Sequence, residues 1–314
     1  MFDEVIGSLG FSTNFEHEEV DLGRLHYKAI PLSSKHFKEI KGNANSSIAF
    51  VDGGNAEILK APNFSLQLCR VAYCMFENNK RVKQERKDFF VLVNVVNNKF
   101  VVKTFGNDLD MQFDLDDEHF KSGKSRGSAS SVVLAIRRFA ELKLAASLNY
   151  DVIVLDGSLQ QTYTFEDRFL KELQNKKVVG FCKTSSLLTK SGNSVLALMN
   201  LHPGKFVYSS VAEISDDSYQ ANICFARLHE KSNYVFKIDF QKDIDHDVLA
   251  MLAENAKDPV FLGYPYGLML ADKLARVSHD EAEYLRTKLF SKIKNVDLLR
   301  YLNALNAHQI LDTI

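Results

Sequence analysis

Two short apolar runs in this chain end on the same device. In "SIAFVDGG", Ser47 to Gly54, an apolar stretch leads into Asp52 and two glycines, and in "VIVLDGS", Val152 to Ser158, another leads into Asp156, Gly157 and Ser158. Each run reads as a buried strand. A carboxylate at such a strand's end must be solvated, hydrogen-bonded or bound to a cation, because an unpaired buried charge is too costly for a domain to carry. Asp-Gly is also a common turn pair, so a tight turn explains either motif taken alone. Its repetition narrows the choice to folds that need acids where strands stop.

The order of elements narrows it further. After "SIAFVD" come a longer strand from Phe64 to Phe76 and two strands in "DFFVLVNVVNNKFVVKTFG", joined at Asn97-Asn98, where asparagine accepts positive φ. Then Val132, Ile136, Phe139, Leu142 and Ala146 recur at helical spacing in a segment from Ser128 to Asn149 with a serine-rich start. The Asp156 strand follows, then a helix in "TFEDRFLKELQNKK" and a strand from Val178 to Lys183. "VLALMN", "ANICFARL" and "YVFKIDF" read as further strands, and helices are expected over Asp243–Asn255, Tyr266–Val277 and from Ser278 onward, where "SHDE" fits a capping box. A meander, helix, strand, helix and strand is the connectivity of a ribonuclease H-like α/β core, a mixed sheet flanked by helices. An irregular arm over 1–45, a core over 46–278 and a helical extension over 279–314 are the expected divisions.

Composition excludes more than it proposes. Over 314 residues, 39 Lys+Arg stand against 40 Asp+Glu, so no global basic field advertises nucleic acid and any such surface is local. No apolar run of about 18 residues suggests a membrane span, and the acids Asp3 and Glu4 stand where an export signal needs basic charge. Four cysteines without paired spacing read as buried thiols in a reducing compartment, the cytoplasm.

The acids are the candidates for chemistry. Asp52 and Asp156 end strands. Glu141, in "RRFAELKLAA", lies at the margin of the helix's apolar stripe, where it is either paired with Arg137 or Arg138 or is a third member of the set. Asp272 sits in the apolar helix of "GYPYGLMLADKLARVS", where a salt bridge to Arg276 or Lys273 is the plainer account. Three or four carboxylates in one volume repel unless protonated or joined by a cation, and an all-oxygen set suits Mg²⁺ or Mn²⁺. "FKSGKSRGSASS" lacks the first glycine of a phosphate loop, Glu118 standing in its place. It reads instead as a basic loop in which Lys121, Lys124 and Arg126 are solvated or touch a nucleic-acid backbone, and "NNKRVKQERKD" reads as a second charged tip. The scattered histidines have no ligand spacing, and no nucleophile elbow surrounds Ser158.

The pairing of "FVDGG" with "VIVLDGS", the "RRFAE" helix and above all "GYPYGLMLADKLARVS" resemble the NurA family of nucleases, over roughly Ser46 to Ser278. That resemblance implies a ribonuclease H-like core, a homodimer, Mn²⁺ or Mg²⁺ dependence, and exonuclease and single-strand endonuclease activity on DNA during end processing and repair, with a HerA-like hexameric ATPase as partner. It further implies that Asp52, Glu141, Asp156 and Asp272 hold metal and that Lys183 holds a phosphate. The first motif departs from the family's usual DGS at Gly54, and Asp272 stands where some relatives have histidine. Two other readings stay open: a catalytically inactive DNA-binding scaffold subunit, and an ATPase of the actin or sugar-kinase type, which requires a second copy of the core.

Overall fold

Alternation along the first apolar run sends Ala49 and Val51 to one side of a strand and Ile48 and Phe50 to the other, and all four are buried. Both faces must therefore be covered, and the architecture supplies a layer for each. The computed structural model describes residues 2–8, 10, 14–121, 123, 125–209 and 211–305.

The chain opens with α1 (Phe2–Gly7) and three short strands, β1 (Val20–Asp21), β2 (Tyr27–Ala29) and β3 (Phe37–Lys38). A long meander follows: β4 (Ser47–Ala61), β5 (Phe64–Glu77), β6 (Lys80–Val96), β7 (Lys99–Phe105) and β8 (Met111–Asp114). The core then alternates through α2 (Ala129–Ser147), β9 (Val152–Asp156), α3 (Glu166–Glu172) and β10 (Val178–Cys182). After β11 (Leu188–Thr189) and α4 (Val195–Asn200) come β12 (Phe206–Tyr208), β13 (Ala212–Ile214), β14 (Asn222–Arg227) and β15 (Phe236–Phe240). Four helices close the chain: α5 (His246–Asn255), α6 (Tyr266–Ala275), α7 (His279–Lys292) and α8 (Val296–Leu305).

Among the described residues eleven strands form one mixed sheet, in the order β3-β12-β14-β15-β10-β9-β4-β5-β6-β7-β8. β4 runs parallel to β9 and antiparallel to β5, and β9 runs parallel to β10. The expected connectivity is thus present, and it sets the two Asp-bearing strands side by side. No second copy of this unit occurs among the described residues: beyond β10 the sheet continues antiparallel through β15, β14 and β12. On one face α5 and α6 bury Phe50, Val154 and Phe181 beneath Leu249, Leu252, Leu268 and Ala271. On the other, α2 lays Leu142 and Ala145 over Val51 and Leu155, and Ile136 and Phe139 over Val71 and Val91.

Several local expectations need correction. β4 does not stop at Asp52; its pairing with β9 ends at Val51↔Leu155, while its ladder with β5 continues to Ala61↔Phe64. A partner strand on one side is enough to carry the glycines as extended backbone. "VLALMN" is not a strand but α4, whose first turn is capped by the Ser194 side chain accepting from Ala197 N–H. The N-terminal segment is more regular than an arm, since β3 pairs with β12 at the sheet's edge and β2 with β13. Of the second basic stretch only Asn78-Asn79, both at positive φ, forms the tip, and the cations from Lys80 to Lys87 line the exposed half of β6. The turn at Asn97-Asn98 has the expected positive φ values, and Ser278 caps α7 by accepting from Glu281 N–H. Among the described residues no helix is long and apolar enough to cross a membrane.

Buried charge fixes the helical layer to the sheet. Arg70 of β5 bridges Asp88 on β6 and Glu281 on α7, at 2.7 Å each, and donates to the Arg276 carbonyl just after α6. Gly267 lets α6 approach β4 so closely that a Cβ there would overlap the Phe50 ring. In an ordinary helix Gly→Ala stabilises by about 1 kcal/mol. Here Gly267→Ala should instead destabilise by about 1–3 kcal/mol through over-packing, read as a lowered urea midpoint; a midpoint that is unchanged or raised contradicts this packing.

Candidate active site

Period-two alternation puts Asp52 on the same side of β4 as Phe50, under α6. Asp156, the last residue of β9, pairs with Phe181 on β10 and follows Val154 on that same side. Lys183, two residues past Phe181, reaches Asp156 Oδ2 at 2.5 Å and lies 3.8 Å from Asp272 Oδ1 on α6. Asp272 also pairs with Arg276 at 3.0 Å, one turn along its helix. The expected salt bridge to Arg276 is present, and Asp272 shares Lys183 with Asp156.

Glu141 comes from the opposite face. It lies on α2, yet its carboxylate presses against Gly53, where any Cβ would collide with it. Gly53 is therefore a notch in the sheet: the missing side chain lets an acid under α2 come up beside Asp52. The two Asp-Gly pairs thus need glycine for different reasons, since Gly157 has φ +107 and makes a real turn. Gly54 is similarly constrained, because a Cβ there would run into the Ala275 carbonyl. A serine at that position has no room in this chain.

Negative charge dominates the corner. Burial, then repulsion from Asp156 and Glu141, pushes the Asp52 carboxyl up to about 8, against the Gly53 N–H it accepts at 2.7 Å and the more distant Lys183 ammonium. Glu141 is also held above the usual carboxylate range by burial, with Arg137 and Arg138 opposing and Asp156 adding to the rise. Its nearest cations are Arg137 Nε at 3.4 Å and Arg138 Nη1 at 3.7 Å. Burial lowers the Lys183 ammonium, but its contact with Asp156 and the fields of Asp52 and Asp272 outweigh that and leave it raised.

Tyr264 was not singled out by the sequence, though it stands in "GYPYG". Its hydroxyl is buried without a hydrogen-bond partner among the described residues, and burial followed by the charges of Asp156, Asp52 and Asp272 drives its ionisation upward. An orphaned buried donor within the field of three carboxylates calls for an explanation, and an unplaced polar partner is one. All-oxygen donors with excess negative charge suit a hard divalent cation. Among the described residues, however, no three His, Cys, Asp or Glu side chains are gathered tightly enough to ligate one ion as they stand. Lys183 on Asp156, and the two arginines on Glu141, neutralise the acids meanwhile.

Supporting contacts fix the Asp156 turn. The Ser158 hydroxyl and the Leu159 N–H both donate to Asp239 Oδ2, and Lys237 donates to Asp239 Oδ1 at 2.6 Å and to Tyr219 at 2.7 Å. Lys237 and Asp239 are buried. Arg138 joins the same turn to α2, donating to the Ser158 carbonyl at 2.7 Å and to Glu166 at 3.0 Å. The basic loop before α2 lies elsewhere: Glu141 is roughly 18 Å along the helix from Ala129 at 1.5 Å per residue. There Lys121 pairs with Glu118 and Arg126 with Asp116; Lys124 lies outside the described residues.

Residues 46–277 match the NurA domain family. The NurA nuclease of Sulfolobus solfataricus has the same fold with a TM-score of 0.53 at 15% identity, covering 83% of this chain and 90% of that one. A second NurA crystal structure gives a TM-score of 0.54 at 9% identity, with coverage of 84% and 92%. No curated protein matches the chain.

The Asp52 shift has a consequence for folding. An acid whose folded value, about 8, exceeds its unfolded value of 3.8 takes up a proton on folding between those limits, so stability is greatest at the acid end of this window and falls as pH rises through it. In chelator-treated protein, Asp52→Asn should flatten that decline and raise the thermal midpoint at pH 8; a midpoint at pH 8 no higher than the wild type's would refute the raised carboxyl that burial and crowding together produce.

Proposed function

The chain belongs to the NurA family of nucleases, and on that premise we propose that it hydrolyses DNA phosphodiester bonds with Mn²⁺ or Mg²⁺ at the pocket of Asp52, Glu141, Asp156 and Asp272. The observation carrying this reading is the convergence of Asp52, Glu141 and Asp156 from three elements, where burial first and then repulsion from the other two acids push the Asp52 carboxyl up to about 8. Such crowding is tolerable where a cation shares the site. A divalent ion bound there supplies a Lewis acid for the phosphodiester.

The chain's own groups have distinct work in this reading. The four carboxylates would hold the ion, Asp52 and Asp156 from the sheet and Glu141 and Asp272 from the two flanking helices. Lys183, beside Asp156 and Asp272, would present its ammonium to a non-bridging phosphate oxygen. The Tyr264 hydroxyl, with no acceptor among the described residues, donates to a phosphate oxygen or fixes a water. The strand order corresponds to a ribonuclease H-like core, with the pocket where the two parallel Asp-bearing strands end their pairing. As in the family at large, we assign the chain exonuclease and single-strand endonuclease activity in DNA end processing, as a homodimer working with a HerA-like hexameric ATPase.

Cleavage of end-labelled single-stranded DNA in Mn²⁺ tests the site. Asp52→Ala and Asp156→Ala should each lose more than about 100-fold in rate, beyond the loss usual for outer-shell partners of a metal. Mn²⁺ should raise the thermal midpoint of the wild type and leave that of either variant unchanged. Equal cleavage by all three proteins assigns the activity elsewhere. Absence of cleavage in all three, with Mn²⁺ still stabilising the wild type, leaves the scaffold reading. Tyr264→Phe should fold as stably as the wild type or better, because it removes an unsatisfied buried hydroxyl worth about 1 kcal/mol, while turning over more slowly.

A further inference from the structure

Arg137 and Arg138 both flank Glu141, but they are not equivalent. Arg138 is nearly buried and its donors are used, on Glu166, on the Ser158 carbonyl and beside Glu141. Arg137 is one-third exposed, and its Nε–H is buried without an acceptor among the described residues. The 3.4 Å approach of that nitrogen to Glu141 Oε1 is an ion pair without hydrogen-bond geometry, and its Nη1 makes one long bond, 3.3 Å, to Asn55 Oδ1. A guanidinium has five donors in a planar fork. This one spends few of them on protein.

Its surroundings are built to keep it in place. Asn55 follows Gly53 on the same side of β4, and its amide donates to Gln67 at 2.7 Å, which donates to Ser65 at 3.0 Å. Gln67 and Ser65 are buried, so a fixed amide chain turns the Asn55 oxygen towards Arg137. The line Glu141, Arg137, Asn55 follows the part of β4 that projects past the end of β9. It stops at Glu57, which accepts from the Ser130 hydroxyl at 2.7 Å and whose carboxylate would repel a further phosphate.

We propose that Arg137 grips a single backbone phosphate adjacent to the scissile one, so that a bound strand leaves the pocket along the projecting half of β4. The inference rests on the nuclease reading for the location of the scissile bond. Nε is enclosed beside Glu141, so the exposed end of the side chain is its pair of Nη groups, and these can meet two phosphate oxygens where lysine offers a point charge. Arg137 holds the substrate; Glu141 remains the group of the pocket itself.

Binding of a labelled oligothymidylate in EDTA, across a salt series, tests this without cleavage or metal. Arg137→Gln should bind about tenfold more weakly, the loss of one charge-assisted contact, and its plot of log affinity against log salt should be shallower by about 0.7, the value for one single-strand phosphate. Arg137→Lys should keep the wild-type slope. In Mn²⁺ cleavage assays the glutamine change should raise KM more than it lowers kcat. An unchanged slope and affinity overturn the proposal. So does a fallen thermal midpoint in Arg137→Gln with no slope restored by Arg137→Lys, which would make the residue merely structural. Retained cleavage by Asp52→Ala together with the slope change would sink the nuclease site while leaving the phosphate contact standing.

Discussion

Mutual repulsion among Asp52, Glu141 and Asp156 is the constraint around which the rest is arranged. Three acids brought to one corner of a buried sheet are unfavourable unless something offsets them, and nearly every neighbour with a charge or a donor is turned to that task. The Gly53 N–H is on Asp52, Lys183 on Asp156, and Arg137 and Arg138 flank Glu141. Even so Asp52 and Glu141 are held above the usual carboxylate range, by burial first and by their acidic neighbours second. A site left short of positive charge has affinity for cations, and the fold invests in keeping it so: two layers of helices, each contributing an acid, are packed against the same end of the same strands.

The sheet's part is to make the meeting possible from both sides. A strand of ordinary residues separates its faces completely, and an acid on α2 would be screened from one under α6. The single missing side chain at Gly53 opens that barrier. The helix opposite must come equally close, which Gly267 and Gly54 permit. The glycines near the pocket therefore serve proximity more than flexibility, and only Gly157 of the two motifs turns the chain.

Much of this was legible in the sequence where pattern and physics coincide. Period-two apolar runs gave the strands, serine before an apolar stripe gave α2, and the order of elements gave the connectivity, while the pairing of the Asp52 and Asp156 strands is a finding of the structure. What was not legible depended on neighbours far along the chain. Nothing in "DGGNAEILKA" tells that β5 will hold it extended, because two glycines and an asparagine read locally as a stop. A six-residue run such as "VLALMN" carries too little periodicity to separate strand from helix, and the Ser194 cap decides it. Glu141 looked like a solvated partner of the adjacent arginines, and it does sit beside them; its burial against Gly53 is a tertiary fact. Tyr264 gave no signal at all, since an unsatisfied hydroxyl exists only once the surrounding packing is known.

Behind the pocket, the Lys237–Asp239 pair that secures the Asp156 turn imposes a further condition. Removing one member leaves the other charged in a dry interior, a loss of about 3–5 kcal/mol, whereas exchanging both for apolar groups of similar volume is often neutral. Asp239 also receives Ser158 and Leu159, so a double exchange would strand those donors in turn. The route by which descendants of this chain could rewire the turn is thus barred to single steps, and the corner that holds Asp156 is insulated from gradual drift by the very charges it hides.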